Sequence, residues 1–189
     1  MSKTRIQLSD HFTYKRLLRF VLPSIIMMIF TSVYGVVDGL FVSNFAGKAA
    51  FAAVNLIMPV PILLGALGFM LGTGGSAIVA KTLGEGKRQL ANQYFSMLVL
   101  VAFVGAAVLA VTGTVLIRPL ALLLGADGEM LGHCVTYGRI ILISLPFFAL
   151  QNIFQSFLVT AERPSLGLKI TIAAGVTNMV LDLLFVGVL

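Results

Sequence analysis

The chain has 189 residues, enough for one or two soluble domains, yet 59% of it is hydrophobic and only 11% is charged, against about a quarter charged in a typical globular domain. Its net charge of +6 comes from basic residues scattered between long uncharged runs rather than gathered in a stripe, so a nucleic-acid partner is not expected. A single cysteine, Cys134, rules out an internal disulfide framework and a Cys-based zinc site, and His11 and His133 lie in unrelated segments, so thiol and metal-hydrolase chemistry drop out.

The elements follow in chain order. Residues 1–16 read as a short basic N-terminal segment, followed by apolar helices over roughly 17–42, 50–78, 89–116, 134–160 and 167–189. Three of these hold charge-free runs: Ala49 to Ala80, 32 positions; Gln89 to Ile117, 29; and Ile140 to Ala161, 22. A hydrocarbon core about 30 Å thick needs about 20 apolar helical residues, so each run can cross it. Inside lipid every backbone donor and acceptor must be satisfied within the segment or by a neighbour, and the alternating pattern of barrel strands is missing. The fold class expected is therefore an all-α integral membrane protein with five transmembrane helices. Phe20 to Val37 follows a basic cluster as a secretory signal does, but it continues to span length and is read as a retained helix.

Lys and Arg divide ten against three between the two sides: Lys3, Arg5, Lys15, Arg16, Arg19, Lys81, Lys87, Arg88, Arg163 and Lys169 on one, and Lys48, Arg118 and Arg139 on the other. The positive-inside bias then makes the N-terminus cytoplasmic, with segment 1–16 inside and the loops at Ser43–Ala49 and Arg118–Glu129 outside.

Within the second helix, Pro59 and Pro61 predict a bend. Gly65, Gly68, Gly72, Gly74 and Gly75 favour close helix packing over ligand contact, and Gly72-Thr73-Gly74-Gly75 lacks the strand and lysine of a phosphate loop. Asn55 is a lone amide, more simply an interhelical hydrogen bond than a ligand. In the fourth helix Gln151, Asn152, Gln155, Ser156 and Thr160 supply more polar groups than a lipid-facing helix carries, so they are expected to face protein or water. Phe147, Phe148, Phe154 and Phe157 are read as packing before pocket, and Met27, Met28, Met58 and Met70 suit either. His133 and Cys134 are read as incidental at the outer mouth of that helix.

Only two charged residues cannot be placed in a loop or at an interface: Asp38 and Asp182. A short carboxylate cannot snorkel far, and one at a helix centre costs about 2.5–3.5 kcal/mol on insertion scales, so function is the default reading. The plainer alternative puts each close enough to water to be cheap. Asp38 lies 19 residues past Arg19 and Asp182 lies 13 past Lys169, about 28 and 20 Å of helical rise, which puts both in the outer half at depths that allow a shared cavity. Asn178 stands one turn before Asp182 on the same face, and Thr171 and Gly175 continue the row. Such a cluster can share a proton or a cation.

These residues resemble a known family. Val37-Asp38-Gly39-Leu40-Phe41-Val42 is similar to the Val-Asp-x-x-Phe/Met-Val signature of the multidrug and toxic compound extrusion (MATE) transporters. Gly72-Thr73-Gly74-Gly75-Ser76 with Leu83-Gly84-Glu85-Gly86-Lys87 resembles that family's glycine-rich second helix and following cytoplasmic loop. Ala161-Glu162-Arg163-Pro164 is similar to its short loop before the fifth helix, and Asn178-Met179-Val180-Leu181-Asp182 to its Asn-x-x-x-Asp element. The match runs over essentially the whole chain from about Tyr14.

The resemblance implies a twelve-helix exporter of two six-helix lobes, of which 17–189 would be part of the N-terminal lobe. It implies exchange of inward H⁺ or Na⁺ for outward organic cations, no cofactor, and partners limited to small organic cations, the lipid bilayer and the C-terminal lobe. Asp38 and Asp182 match the family's coupling acids and Asn178 its cation-network amide, so that Na⁺, if used, would sit at these three; no other metal is expected. Asn152 is a looser match, and with Gln151, Gln155, Thr171 and Asn55 it forms a wider set of candidate cation or substrate contacts. A cell inner membrane location follows. The alternatives are a related lipid-linked oligosaccharide flippase, whose anionic cargo would want cavity-facing basic residues where Arg139 is the sole candidate, and a non-transporting scaffold subunit, which would give the buried acids no task. No nucleophile, base and orienting group fall together, so an enzyme is not expected.

Overall fold

The computed structural model describes residues 13–45 and 47–188 and is all-helical over them. His11, Lys3, Arg5 and most of the basic segment 1–16 lie outside the described residues. Six α-helices run in order: α1 Tyr14–Phe45, α2 Lys48–Ile57, α3 Pro59–Gly84, α4 Arg88–Leu123, α5 Gly128–Thr160 and α6 Pro164–Asp182, the last continued by a π-helical turn, Leu183–Val188. With α2 and α3 taken as one element, five helices are long and apolar enough to cross a membrane. Contacts divide the chain into one unit of residues 1–45 and 158–189 and another of residues 46–157.

The break between α2 and α3 comes from missing donors. Pro59 and Pro61 have no N–H to give to the carbonyls of Asn55 and Ile57, so the ladder fails there. Met58 nonetheless keeps helical dihedrals (φ −51°, ψ −38°), and its N–H reaches Val54 O at 3.0 Å while its carbonyl receives Ile62 N–H at 3.3 Å. The ladder is thus interrupted at one residue without opening a loop.

Two further boundaries differ from the charge-based expectation. Helix α4 continues through Arg118 and Pro119 to Leu123, and α5 begins at Gly128, so the outer loop expected over Arg118–Glu129 shrinks to Leu124–Asp127. A long Arg side chain can stay on a helix and still reach water. The stop signal is Gly125 instead, at φ +96°, with Gly125 N–H bonded to Leu122 O and Ala126 N–H to Ala121 O at 3.0 and 2.9 Å, the paired closure of a Schellman turn. The same closure ends α3 around Gly86 (φ +77°), with Lys87 N–H on Thr82 O at 3.1 Å. It also ends α5, where Glu162 takes the left-handed position at φ +59° and Arg163 N–H reaches Leu158 O at 2.8 Å.

In the unit of residues 46–157, α3 presents Gly65, Gly68, Gly72 and Gly75 along one buried stripe. A Cβ on Gly68 would lie 2.5 Å from the Cα of Ala149, and one on Gly72 would lie 3.1 Å from the Asn152 carbonyl, so α3 and α5 meet backbone to backbone. Two clusters fill the space beside this contact, one around Ile57, Ile117, Leu142 and Leu145, the other around Val79, Ala102, Ile153 and Phe157. Cys134 is in the first of these and is completely buried, its thiol donating to the Ala53 carbonyl at 3.6 Å. The expected place of Cys134 at the outer mouth of its helix is therefore corrected: because α5 starts at Gly128, Cys134 is already nearly two turns inside the helix and packs against α2.

Candidate functional site

The unit of residues 1–45 and 158–189 is built on the pairing of α1 with α6. On α1, Phe30, Tyr34 and Asp38 fall at successive i, i+4 positions; on α6, Thr171, Gly175, Asn178 and Asp182 fall at i+4, i+3 and i+4. Each set is one column on one helix face. The columns meet at Gly175, where a Cβ would stand 2.5 Å from Phe30 Cε1 and 3.2 Å from Tyr34 Cδ1. The two rings are tilted by 51° with centroids 6.0 Å apart, and glycine is what lets them sit against the α6 backbone.

Toward the C-terminal ends of both helices the columns become polar. The carboxyl groups of Asp38 and Asp182 come within hydrogen-bonding reach of each other, and both residues are half-buried. Two ionised carboxylates have only acceptor oxygens, so such a contact needs a proton or a cation between them. Asp182 Oδ2 and Asn178 Oδ1 are inaccessible to solvent and receive no hydrogen bond. Buried oxygens without donors are rare and each calls for an explanation. Together they form an oxygen-only set, the donor chemistry of a hard cation or of a shared proton.

Helix α6 ends at Asp182 and passes directly into the π-helical turn Leu183–Val188. Such π-helical segments are rare and are found frequently at functional sites.

The remaining candidates divide between the two units. Thr171 is buried one turn before Gly175 in the same α6 column. Asn55, Gln151, Asn152 and Gln155 belong to the other unit. Asn55 is exposed and its amide bonds back to Phe51 O at 2.8 Å, so the interhelical bond first expected of it is replaced by one within its own helix. Asn152 likewise bonds to Phe148 O at 2.9 Å, and its carbonyl accepts Ser156 Oγ at 3.0 Å; its backbone forms part of the seat of Gly72. Gln151 is exposed and Gln155 half-buried. Phe30 and Tyr34 were not among the expected site residues, although their spacing of eight and four from Asp38 was the available signal.

The MatE family model matches residues 23–184. A multidrug export protein named MepA from Staphylococcus saprophyticus is 25% identical over 174 residues, covering 92% of this chain and 38% of its own length. A crystal structure of a MATE mutant superposes with a TM-score of 0.83 at 24% identity, covering 89% of this chain and 38% of that one. An outward-facing multidrug resistance MATE transporter of the MOP superfamily superposes at 0.82 with 23% identity, covering 93% and 41%. The chain therefore spans about 38% of the length of the curated relative it matches.

Proposed function

The chain belongs to the MatE family, and from that premise we propose that it is the N-terminal part of a secondary antiporter that exports organic cations, drugs among them, in exchange for H⁺ or Na⁺. In this reading the chain supplies most of a six-helix lobe, sits in the cell inner membrane with its N-terminus cytoplasmic, and carries the coupling site at Asp38, Asn178 and Asp182. The observation that carries it is the approach of the Asp38 and Asp182 carboxyls beside two buried oxygens that have no donor.

The chemistry follows from charge. With the pair ionised, the site holds two negative charges among apolar helices and attracts either an inorganic cation or a cationic drug. Filling it with a proton or sodium ion cancels one of the two charges, which weakens that attraction and lets α1 and α6 pack against a site of half the charge. Cargo and coupling ion then disfavour each other by the same factor in either order of binding. Alternation between the two sides of the membrane needs one bundle to move against another, and so belongs to the complete transporter.

The test is efflux of a fluorescent organic cation by the complete transporter, with pH and sodium varied independently. The proposal expects a dependence on one of the two that Asp182→Asn abolishes; efflux unaffected by either ion, or by that substitution, would refute it.

A further inference from the structure

Along α4, Gln89, Gln93, Ser96, Leu100 and Phe103 fall at alternating i+4 and i+3 steps and so make one continuous face. Its two ends differ sharply. The first is an open hollow of about 610 Å³ lined by Gly86, Lys87, Arg88, Gln89, Leu90 and Gln93. The second is a groove of about 400 Å³ between α4 and α5, bounded by Phe95, Ser96, Val99, Leu100, Leu150 and Phe154, with Phe103 at its far end.

The groove is built from aromatic walls. Phe95 meets Phe154 with ring centroids 6.2 Å apart and Phe157 edge-on at 4.7 Å, while Phe103 meets Phe147 edge-on at 6.4 Å. Leu100 is 63% exposed and Phe103 40%, so the groove is open along its length.

The charge at the polar end is positive. Lys87 shares its charge with Glu85 at 2.8 Å, and that hydrogen bond, with the carboxylate's charge, raises the Lys87 pKa and keeps it ionised. Arg88 makes no ion pair among the described residues. Two cations against one anion leave a net positive charge beside the amides of Gln89 and Gln93.

From these features we infer that this face of α4 is a binding site for one anionic glycerophospholipid, its phosphate at Arg88 and Lys87 and one acyl chain in the Phe95–Phe103 groove. The occupant is selected by complementarity at both ends: a cationic, amide-bearing hollow followed along the same α4 face by an apolar, aromatic groove. Length agrees as well. Phe95 and Phe103 lie 7 and 15 residues past Arg88, about 10 and 22 Å of helical rise, the depth of one leaflet measured from its headgroups. Basic hollows beside transmembrane helices bind anionic headgroups in this way.

The chain contains no tryptophan, which makes the test direct. Phe103→Trp places a single fluorophore in the groove, and Val111→Trp, at a position 69% exposed on the same helix, places one outside it. The full chain carrying each is put into nanodiscs containing phosphatidylcholine and phosphatidylglycerol, with bromine on the acyl chains of one or the other.

The groove fluorophore should be quenched by brominated phosphatidylglycerol about fivefold more effectively, mole for mole, than by brominated phosphatidylcholine, the factor for about one basic residue near the membrane surface. The outer one should show no preference. Combining Phe103→Trp with Lys87→Gln and Arg88→Gln should erase the difference. Equal quenching by the two lipids in the groove, which marks ordinary bulk lipid, overturns the proposal. Quenching by neither, which marks a protein segment or a second copy as the occupant, overturns it as well.

Discussion

Gly175 on α6 receives the ring of Phe30 on α1, so closely that a methyl group in place of its hydrogen would stand 2.5 Å from Phe30 Cε1. The obstacle is a side chain, which can turn away, and not a backbone. Gly175→Ala should therefore lower the thermal stability of the purified chain by about 1–3 kcal/mol, the usual penalty for overpacking. Phe30→Ala in the same molecule should recover most of that loss. A double variant no more stable than the single one would mean that Phe30 is not what Gly175 accommodates.

On α3 the neighbouring glycines should respond with opposite signs. A Cβ on Gly68 meets the Ala149 backbone at 2.5 Å, whereas one on Gly74 meets nothing within 4 Å. Gly68→Ala should destabilise by several kcal/mol because two helices must separate. Gly74→Ala should be neutral or gain up to about 1 kcal/mol from reduced backbone freedom in the unfolded chain. Thermal unfolding in detergent of the two variants, side by side, checks the sign of each.

Gly125 isolates a different effect. Its φ of +96° is left-handed, and the space around it is open. Gly125→Ala should therefore cost about 1–2 kcal/mol through the backbone alone, with no change in labelling or binding elsewhere. An unchanged melting temperature would show that the α4–α5 turn does not depend on this conformation.

Cys134 offers a check on the core of the unit of residues 46–157. Its thiol is buried and donates to Ala53 O, and a thiol without solvent access is inert. A small maleimide should leave the folded chain unmodified over hours and label it completely after denaturation in sodium dodecyl sulfate. Rapid labelling before denaturation would contradict the packing of α5 against α2.

At the acids, replacing either carboxylate removes the need for a bridging proton or cation. With an ion held by the pair as proposed, the unaltered chain should show a sodium- or pH-dependent shift in melting temperature, and Asp38→Asn and Asp182→Asn should each abolish it, since a ligand stabilises only the state that binds it. A shift that persists in both variants would place the ion elsewhere.

What could be read from the residues, and what could not, follows physical lines. Charge-free runs specify spans because hydrocarbon excludes charge regardless of packing, and the same logic singled out Asp38 and Asp182 as the acids that need a reason to be there. Helix ends were harder. Arg118 suggested a loop, but a snorkelling side chain is tolerated on a helix that neighbours support, and the informative residues were Gly125 and Gly128 just beyond. Misplacing the start of α5 is also what made Cys134 look peripheral. The seat of Phe30 and Tyr34 on Gly175 was out of reach for another reason: small residues announce close packing, but which ring fills the space depends on helix rotation, which no single segment encodes.

The broken ladder at Met58 has a mechanical meaning. The element from Lys48 to Gly84 has 37 residues, about 55 Å if straight, which exceeds the roughly 40–45 Å from one headgroup layer to the other. Tilt or a kink must absorb the excess, and the donors missing at Pro59 and Pro61 make this the point of least resistance to bending. Bilayer thickness thus acts as a load on one short stretch of chain: a thicker membrane favours a straighter element, and a thinner one a more bent or more tilted one.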